Sequence, residues 1–195
     1  MRKLPLHQYD CGNQKGPVLT ETGCLFFSSK SYSDDRGFFL ETYKMSEFSA
    51  LYRRFKQDTN LVFFPQDNIS FSKKYVVRGL HMQNKNPQGK LIRVLNGSIL
   101  DVALDMNPNS KTYGCFEVFL LSKIEQFLYI PPTHAHGFVA AEDTLFSYKC
   151  TNEYDPNDEV GINPLDEKFN FPWTEIKDEV IISPKDRALP FFVSN

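Results

Sequence analysis

The sequence has no apolar run approaching the roughly 18 residues that a membrane-crossing helix needs, so no membrane partner is expected. Its first ten residues, MRKLPLHQYD, carry charge with no apolar stretch behind them, and no signal peptide is expected either. Cys11, Cys24, Cys115 and Cys150 are scattered, with no C-x-x-C pair. They read as small packing residues in a reducing, cytoplasmic chain rather than as redox or metal sites. An excess of positive charge is also missing: 22 Lys and Arg stand against 24 Asp and Glu, a net charge of −2. Bulk attraction to nucleic acid is therefore excluded, and any attraction for anions must be local. There is one Trp, and no internal repeat or low-complexity segment.

Rings are abundant instead. Eighteen Phe and nine Tyr in 195 residues suit a sheet-rich protein whose layers are filled by aromatic side chains. The length fits a single domain over residues 1–195. Residues 1–23, polar and broken by Gly12, Gly16, Pro17 and Gly23, read as an N-terminal arm or leading strand. Short strands are predicted in 24-CLFFSSKSYSD-34 and 36-RGFFLETYK-44, around an Asp-Asp-Arg-Gly turn. A helix is predicted over 45-MSEFSALYRRF-55, with Ser46 as N-cap and Phe48, Leu51, Tyr52 and Phe55 at helical spacing.

From Leu61 onward the pattern is β. The runs in 90-KLIRVLNGSILDVALDM-106 are broken by Asn96-Gly97, a hairpin signal. In 99-ILDVALD-105, alternation puts Leu100, Val102 and Leu104 on one face and Asp101, Ala103 and Asp105 on the other. Further runs lie at 115–121, 127–131, 137–141 and 144–150. Many short strands imply a sandwich or a closed barrel, which disposes of sheet edges. Residues 152–173 read as a long loop rich in Pro, Asn and Asp, of the kind that walls a site.

One segment conflicts with an ordinary core. The stretch 76-VVRGLHMQNKNPQGKLIRV-94 carries Arg78, His81, Lys90 and Arg93, and a core-facing strand cannot hold unpaired cations. Either these side chains face water or they line a pocket for an anion. Nearby in pattern are His134 and His136 of 130-IPPTHAHGF-138, and a small barrel could aim both segments at one mouth. Two chemistries suit such a mouth. A metal site would use His81, His134, His136 and a carboxylate, but no Glu follows the H-x-H at a ligand's spacing. Proton transfer would use a His as general base, with Lys and Arg stabilising negative charge. It also needs an orienting carboxylate and an acid. Tyr148, Tyr154, Asp166 and Asp186 are of the right types, and composition does not choose among them.

From about Cys24 to Phe191 the chain resembles the dTDP-4-dehydrorhamnose 3,5-epimerase family. The resemblance rests on eight blocks in the family's order: 35-DRGFFLE-41, 66-QDNIS-70, 78-RGLHMQ-83, 88-QGKLIRV-94, 101-DVALD-105, 130-IPPTHAHGF-138, 148-YKCTNEY-154 and 182-ISPKD-186. It implies an all-β, cupin-type jelly-roll barrel with a few short peripheral helices, and residues 174–195 packing on that barrel. It also implies an enzyme that needs no cofactor and no metal, inverting centres of a nucleotide-linked 4-keto-6-deoxy sugar. By motif, His81 resembles the catalytic base, Asp186 its orienting carboxylate, Lys90 the cation beside the C4 oxygen and Tyr148 the opposite proton donor. Gln66, Asn68, Arg78, His136, Glu159 and Lys185 match substrate-contacting positions, and Tyr154 a ring that stacks on the base. Arg36 and Glu41 match positions that reach a neighbouring subunit's site, which implies a homodimer. His134 matches no functional position.

The chemistry accounts for these types on its own terms. Hydrogens on C3 and C5 are both α to the C4 ketone, so each can leave if the enolate oxygen is stabilised. Met82 stands where the family often has an aromatic, Glu153 where a second Tyr is common, and the segment 45–65 looks longer than usual. These departures touch the pocket wall and the base subsite. They leave C3-only or C5-only inversion, a GDP-, UDP- or heptose-linked sugar, and a metal-dependent cupin enzyme as the alternatives.

Overall fold

The computed structural model describes residues 16–56, 62–176 and 180–193. Most of the predicted N-terminal arm, with Cys11, lies outside the described residues. The chain begins with β1 (Val18–Leu19), β2 (Leu25–Ser28), β3 (Ser31–Asp34) and β4 (Gly37–Leu40), followed by helix α1 (Met45–Lys56). Then come β5 (Gln66–Ser72), β6 (Val76–Gln83), β7 (Lys90–Asn96), β8 (Ile99–Asp105) and β9 (Phe116–Leu121). Next are β10 (Gln126–Ile130), β11 (His134–Ala140), β12 (Thr144–Cys150) and the short β13 (Glu159–Gly161). A 3₁₀ turn at Pro172–Glu175, β14 (Ile181–Ile182) and a single-turn helix α2 (Pro184–Arg187) complete the described fold.

Two antiparallel sheets face each other. The first has the order β1-β2-β10-β7-β12-β5 and the second β13-β6-β11-β8-β9, with β14 added parallel to β6. The central strands 5-12-7-10 against 6-11-8-9 are the double Greek key of a jelly roll. This is the cupin-type barrel that the sequence blocks implied.

Alternation fills three layers. Between the sheets, Ile92, Val94, Leu128 and Phe146 of the first meet Ile99, Phe119, Leu121 and Phe138 of the second. Outside the first sheet, Phe48 of α1 packs with Leu25, Leu91, Phe127 and Tyr129, and Leu51, Tyr52 and Phe55 border the same cluster. The predicted apolar stripe of α1 is the one used. Ser46, however, lies inside the first turn of α1 rather than capping it. Outside the second sheet, Val102, Leu104, Phe116 and Val118 are covered by Phe169, Phe171, Trp173, Ile182 and Phe192. Both faces of β8 are thus buried, and the polar-looking face of Asp101 and Ala103 is the barrel interior.

The Asn96-Gly97 hairpin is not formed. β7 and β8 belong to different sheets, and residues 96–98 turn the corner between them. Gly97 still supplies a left-handed φ of +88°, but the turn is tied to β12, not to a hairpin partner. Ser98 N–H donates to Thr144 Oγ1, and Thr144 Oγ1 donates to the Ser98 carbonyl. A two-residue hairpin forms instead at β3–β4, closing at Asp35-Arg36. Cys24 and Cys150 are buried packing residues and Cys115 is half-buried.

Candidate active site

The interior changes character along each strand. β12 reads Phe146, then Tyr148, and β7 reads Val94 and Ile92 before ending at Lys90. β11 pairs an apolar Phe138 with His136 one interior step further on. The polar ends converge on a cleft of about 620 Å³, whose walls include Arg78, His81, Lys90, His136, Tyr148, Lys185 and Asp186.

Arg78 and His81 both reach this cleft although they are three residues apart on β6. In a regular strand such residues point to opposite faces. Here His81 pairs with His136 but Arg78 pairs with Phe138, a register shift that resets the phase between them. Gly79 lies within the shift, with φ +95°, and a Cβ placed there would stand 2.4 Å from the His136 carbonyl oxygen. Glycine allows the two backbones to close over this irregularity.

His81 Nε2 lies 2.8 Å from Asp186 Oδ1, and the Gly79 N–H donates to Asp186 Oδ2 at 3.3 Å. Ser183 Oγ accepts from Asp186 N–H at 3.0 Å, so the one turn of α2 fixes the carboxylate in place. Burial raises the Asp186 carboxyl, but the His81 hydrogen bond and charge, with the Gly79 N–H, outweigh it and hold the group below the usual range. With Nε2 committed to a carboxylate, His81 is left with Nδ1 as its free proton acceptor.

Lys90 crosses the interior from the opposite sheet, and its Nζ donates to the His81 carbonyl at 3.1 Å. Burial pushes this ammonium's pKa down, and the surrounding groups pull it only part of the way back. A second couple stands beside the first: His136 Nε2 is 2.7 Å from Asp101 Oδ2. Side-chain exposure is 27% for His81 and 6% for Asp186, but 9% for His136 and 0% for Asp101. The first couple is open to solvent, and in the second only His136 reaches the cleft while Asp101 is sealed behind it. Burial raises the Tyr148 phenol, keeping it protonated at neutral pH.

Toward the rim, Arg78 is braced by Ser72 Oγ at 2.8 Å and the Phe71 carbonyl at 3.1 Å. Gln66 Nε2 donates to Asn68 Oδ1 at 2.9 Å, and Gln66 Oε1 accepts from the Tyr154 N–H at 2.7 Å. Lys185 pairs with Glu159. Tyr154 is nearly half exposed, its ring open to a flat ligand. Among the described residues, no three His, Cys, Asp or Glu side chains converge as metal ligands would.

The sequence profile of the dTDP-4-dehydrorhamnose 3,5-epimerase family matches residues 19–194. The chain belongs to this family. The dTDP-4-dehydrorhamnose 3,5-epimerase of Methanothermobacter thermautotrophicus is 41% identical over 169 residues, covering 85% of this chain and 87% of the relative. The crystal structure of dTDP-4-dehydrorhamnose 3,5-epimerase from Elizabethkingia anophelis superposes with a TM-score of 0.77 at 36% identity, covering 87% of this chain and 91% of that one. The Legionella pneumophila 3,5-epimerase in complex with dTDP-4-keto-L-rhamnose superposes at 0.78 with 35% identity, covering 92% and 99%.

The family's blocks thus converge in space for His81, Lys90, Tyr148, Asp186, Arg78, His136 and Lys185, with Gln66, Asn68, Tyr154 and Glu159 at the rim. Arg36 and Glu41 are elsewhere. The Arg36 guanidinium pairs with Asp34 at 2.6 Å on the tip of the β3–β4 hairpin. Glu41 lines a groove between that hairpin and α1. Arg93 points to the outer face of the first sheet, over the Phe127 ring, so it does not join the other cations. His134 is buried at the start of β11 and is not among the residues lining the cleft, its Nδ1 3.4 Å from Thr133 Oγ1. Asp101 was missed as a site residue, although it opens the 101-DVALD-105 block.

Proposed function

We propose that the chain inverts C3 and C5 of dTDP-4-dehydro-6-deoxy-D-glucose, giving dTDP-4-dehydro-L-rhamnose through enolate intermediates. His81 Nδ1 takes the proton from the carbon α to the C4 ketone, and the C–H electron pair moves onto the C4 oxygen. Lys90 holds that oxygen's negative charge in a water-poor pocket, where one such donor is worth about 3 kcal/mol. Asp186 fixes the His81 tautomer and stabilises the imidazolium that forms. Tyr148, kept protonated by burial, returns a proton to the opposite face. No electrons enter or leave, so the reaction is written with no cofactor. Arg78 and Lys185 face the diphosphate, Gln66, Asn68, His136 and Glu159 contact the remaining substrate groups, and Tyr154 stacks on the base. The observation that carries this reading is the His81–Asp186 couple with the Lys90 ammonium bound at the His81 backbone, in the same cleft as Tyr148.

The working unit is a homodimer in which Arg36 and Glu41 of one subunit complete the other's site. In support, the β3–β4 hairpin belongs to neither main sheet and exposes Tyr32, Phe38 and Phe39 at 56%, 60% and 65%. β5, the last strand of the first sheet among the described residues, likewise exposes Ile69 and Phe71. Apolar surface of this kind marks a contact face.

Proton exchange in deuterium oxide tests the two-faced mechanism. His81→Ala should abolish wash-in of label at C3 and C5. Tyr148→Phe keeps the base, its carboxylate and Lys90, so it should exchange while forming little inverted sugar. Inversion by Tyr148→Phe at the wild-type rate would remove Tyr148 from the acid's role.

A further inference from the structure

Asp101 is the most deeply buried carboxyl beside the cleft, where burial raises its pKa and His136 and Lys90 oppose that rise, and none of the steps above uses it. It sits at the middle of the barrel with no exposure, and its only hydrogen-bonded partner among the described residues is His136. Oδ2 takes that bond, while Oδ1 has no hydrogen-bond partner among the described residues. A buried carboxylate with an idle oxygen is costly unless a positive charge answers it. The cation on the interior side is Lys90. Its Nζ is anchored on the His81 carbonyl, and His81 is the direct cross-strand partner of His136, which holds Asp101. The chain of contacts Lys90, β6, His136, Asp101 thus sets an ammonium and a carboxylate on the two facing sheets of one buried interior. Among the described residues no carboxylate closes an ion pair with Lys90.

We propose that Asp101 is a positioning residue for the epimerisation: it is the fixed counter-ion that keeps Lys90 charged, and through His136 Nε2 it leaves His136 Nδ1 as an acceptor for a substrate hydroxyl. This rests on the reading of Lys90 as the enolate's cation. It also explains why His136 and His81, opposite one another on adjacent strands, have different tasks. His81 pairs with a carboxylate at the solvent's edge and cycles a proton. His136 pairs with one that is fully buried, and burial pushes its own pKa down, so the protonated ring is disfavoured and the neutral acceptor persists.

The groups facing this centre come from every surrounding strand: His136 from β11, His81 from β6, Lys90 from β7, Tyr148 and Cys150 from β12, and Glu159 from β13. From β9 the interior carboxylate is Glu117, opposite Ala103, which accepts from the Thr20 and Thr22 hydroxyls. Of the carboxylates, Asp101 and Glu159 both favour the charged form of Lys90, with Asp101 the stronger. Glu159 is engaged by Lys185, and among the described residues no salt bridge joins Asp101 to a lysine or arginine. Removing the Asp101 charge should therefore let burial depress Lys90 further. Activity that needs the ammonium is lost as pH rises through the Lys90 pKa, so the alkaline limb must move to lower pH.

Asp101→Asn keeps the side-chain shape and an oxygen for His136 but removes the charge. Its kcat should fall by about tenfold or more while KM changes by less than about threefold, because the lost interaction matters when the enolate forms. Its alkaline limb should shift down by about one pH unit. A normal kcat with an unmoved limb would overturn the proposal. Thermal unfolding supplies a second test that needs no substrate and holds even if Asp101→Asn alone folds poorly. Lys90→Gln strands the carboxylate, so the double variant Lys90→Gln/Asp101→Asn should melt above Lys90→Gln. A double variant that melts below Lys90→Gln would show that the two charges are not coupled. Coupling in this cycle without epimerase activity in the wild type would instead overturn the functional reading and leave the counter-ion standing.

Discussion

At the scale of single residues, the two His–Asp couples show how one pair of side-chain types is given two chemistries by its surroundings. The exposed couple is anchored by the Gly79 N–H and Ser183, and Asp186 is held below the usual carboxyl range. A carboxyl depressed in the folded state contributes stability that is fully present above its unfolded pKa of about 3.9 and is lost as pH falls through the folded value. Asp186→Asn should thus be less stable than wild type at neutral pH, and the gap should begin to narrow as pH falls below about 4 and close only below the folded pKa of Asp186, where both side chains are neutral. Urea unfolding across a pH series would show it; a gap that stays constant to low pH would mean that Asp186 carries no charge-dependent stability. The same variant should lose activity on the order of 10³–10⁴, by analogy with the orienting carboxylate of a triad. Most of this constellation was legible in the sequence, because His81, Lys90, Tyr148 and Asp186 sit in blocks whose order matches the family. Asp101 was not. Its alternation with Leu100, Val102 and Leu104 placed it on the face that usually meets water, and only the second layer over β8 turns that face inward. The available signal was an acidic residue in a strand whose other face is wholly apolar.

At the scale of elements, the sequence pattern is reliable where one rule governs a segment and fails where two compete. The apolar stripe of α1 follows from periodicity, and the strands β9, β10 and β12 from their apolar runs, whereas β11 begins at His134, three residues before the run expected at 137–141. Asn96-Gly97 carries the strongest hairpin signal in the chain, yet it makes a corner. The turn chemistry is local, whereas strand pairing is decided by which sheet buries β7 and β8. The phase of β6 was likewise invisible to strict alternation. Arg78 and His81 share the cleft because the pairing slips between Phe138 and His136, and Gly79 makes the slip possible. Gly79→Ala should therefore cost roughly 1–3 kcal/mol from the backbone conformation alone, with the contact against the His136 carbonyl added. Because the residue adjoins both Arg78 and the Asp186 anchor, activity should fall further than stability explains. Thermal melts alongside turnover at a temperature well below the midpoint would separate the two. A variant that melts and turns over like wild type would show that β6 tolerates a Cβ at its slip.

At the scale of the whole molecule, Arg36 and Glu41 fit the family's substrate positions but stand away from the cleft of their own subunit. The β3–β4 hairpin carries exposed aromatic rings, and β5, at the sheet edge among the described residues, exposes Ile69 and Phe71. In a two-fold dimer each surface would be used twice, each hairpin completing the partner's site. Subunit mixing tests this directly. Arg36→Ala and His81→Ala homodimers should each be nearly inactive, the first lacking the donated cation and the second the base. When the two are unfolded together and refolded, about half of the dimers should be mixed. In a mixed dimer one site holds His81 of the Arg36→Ala subunit and receives Arg36 from the other, so it is intact. The remaining site lacks both residues. Activity should recover to about a quarter of the wild-type value, with the KM of the wild type. If each cleft were complete within its own subunit, the mixture would show only the average of the two parents, and Arg36 would belong to the surface of the hairpin rather than to the site.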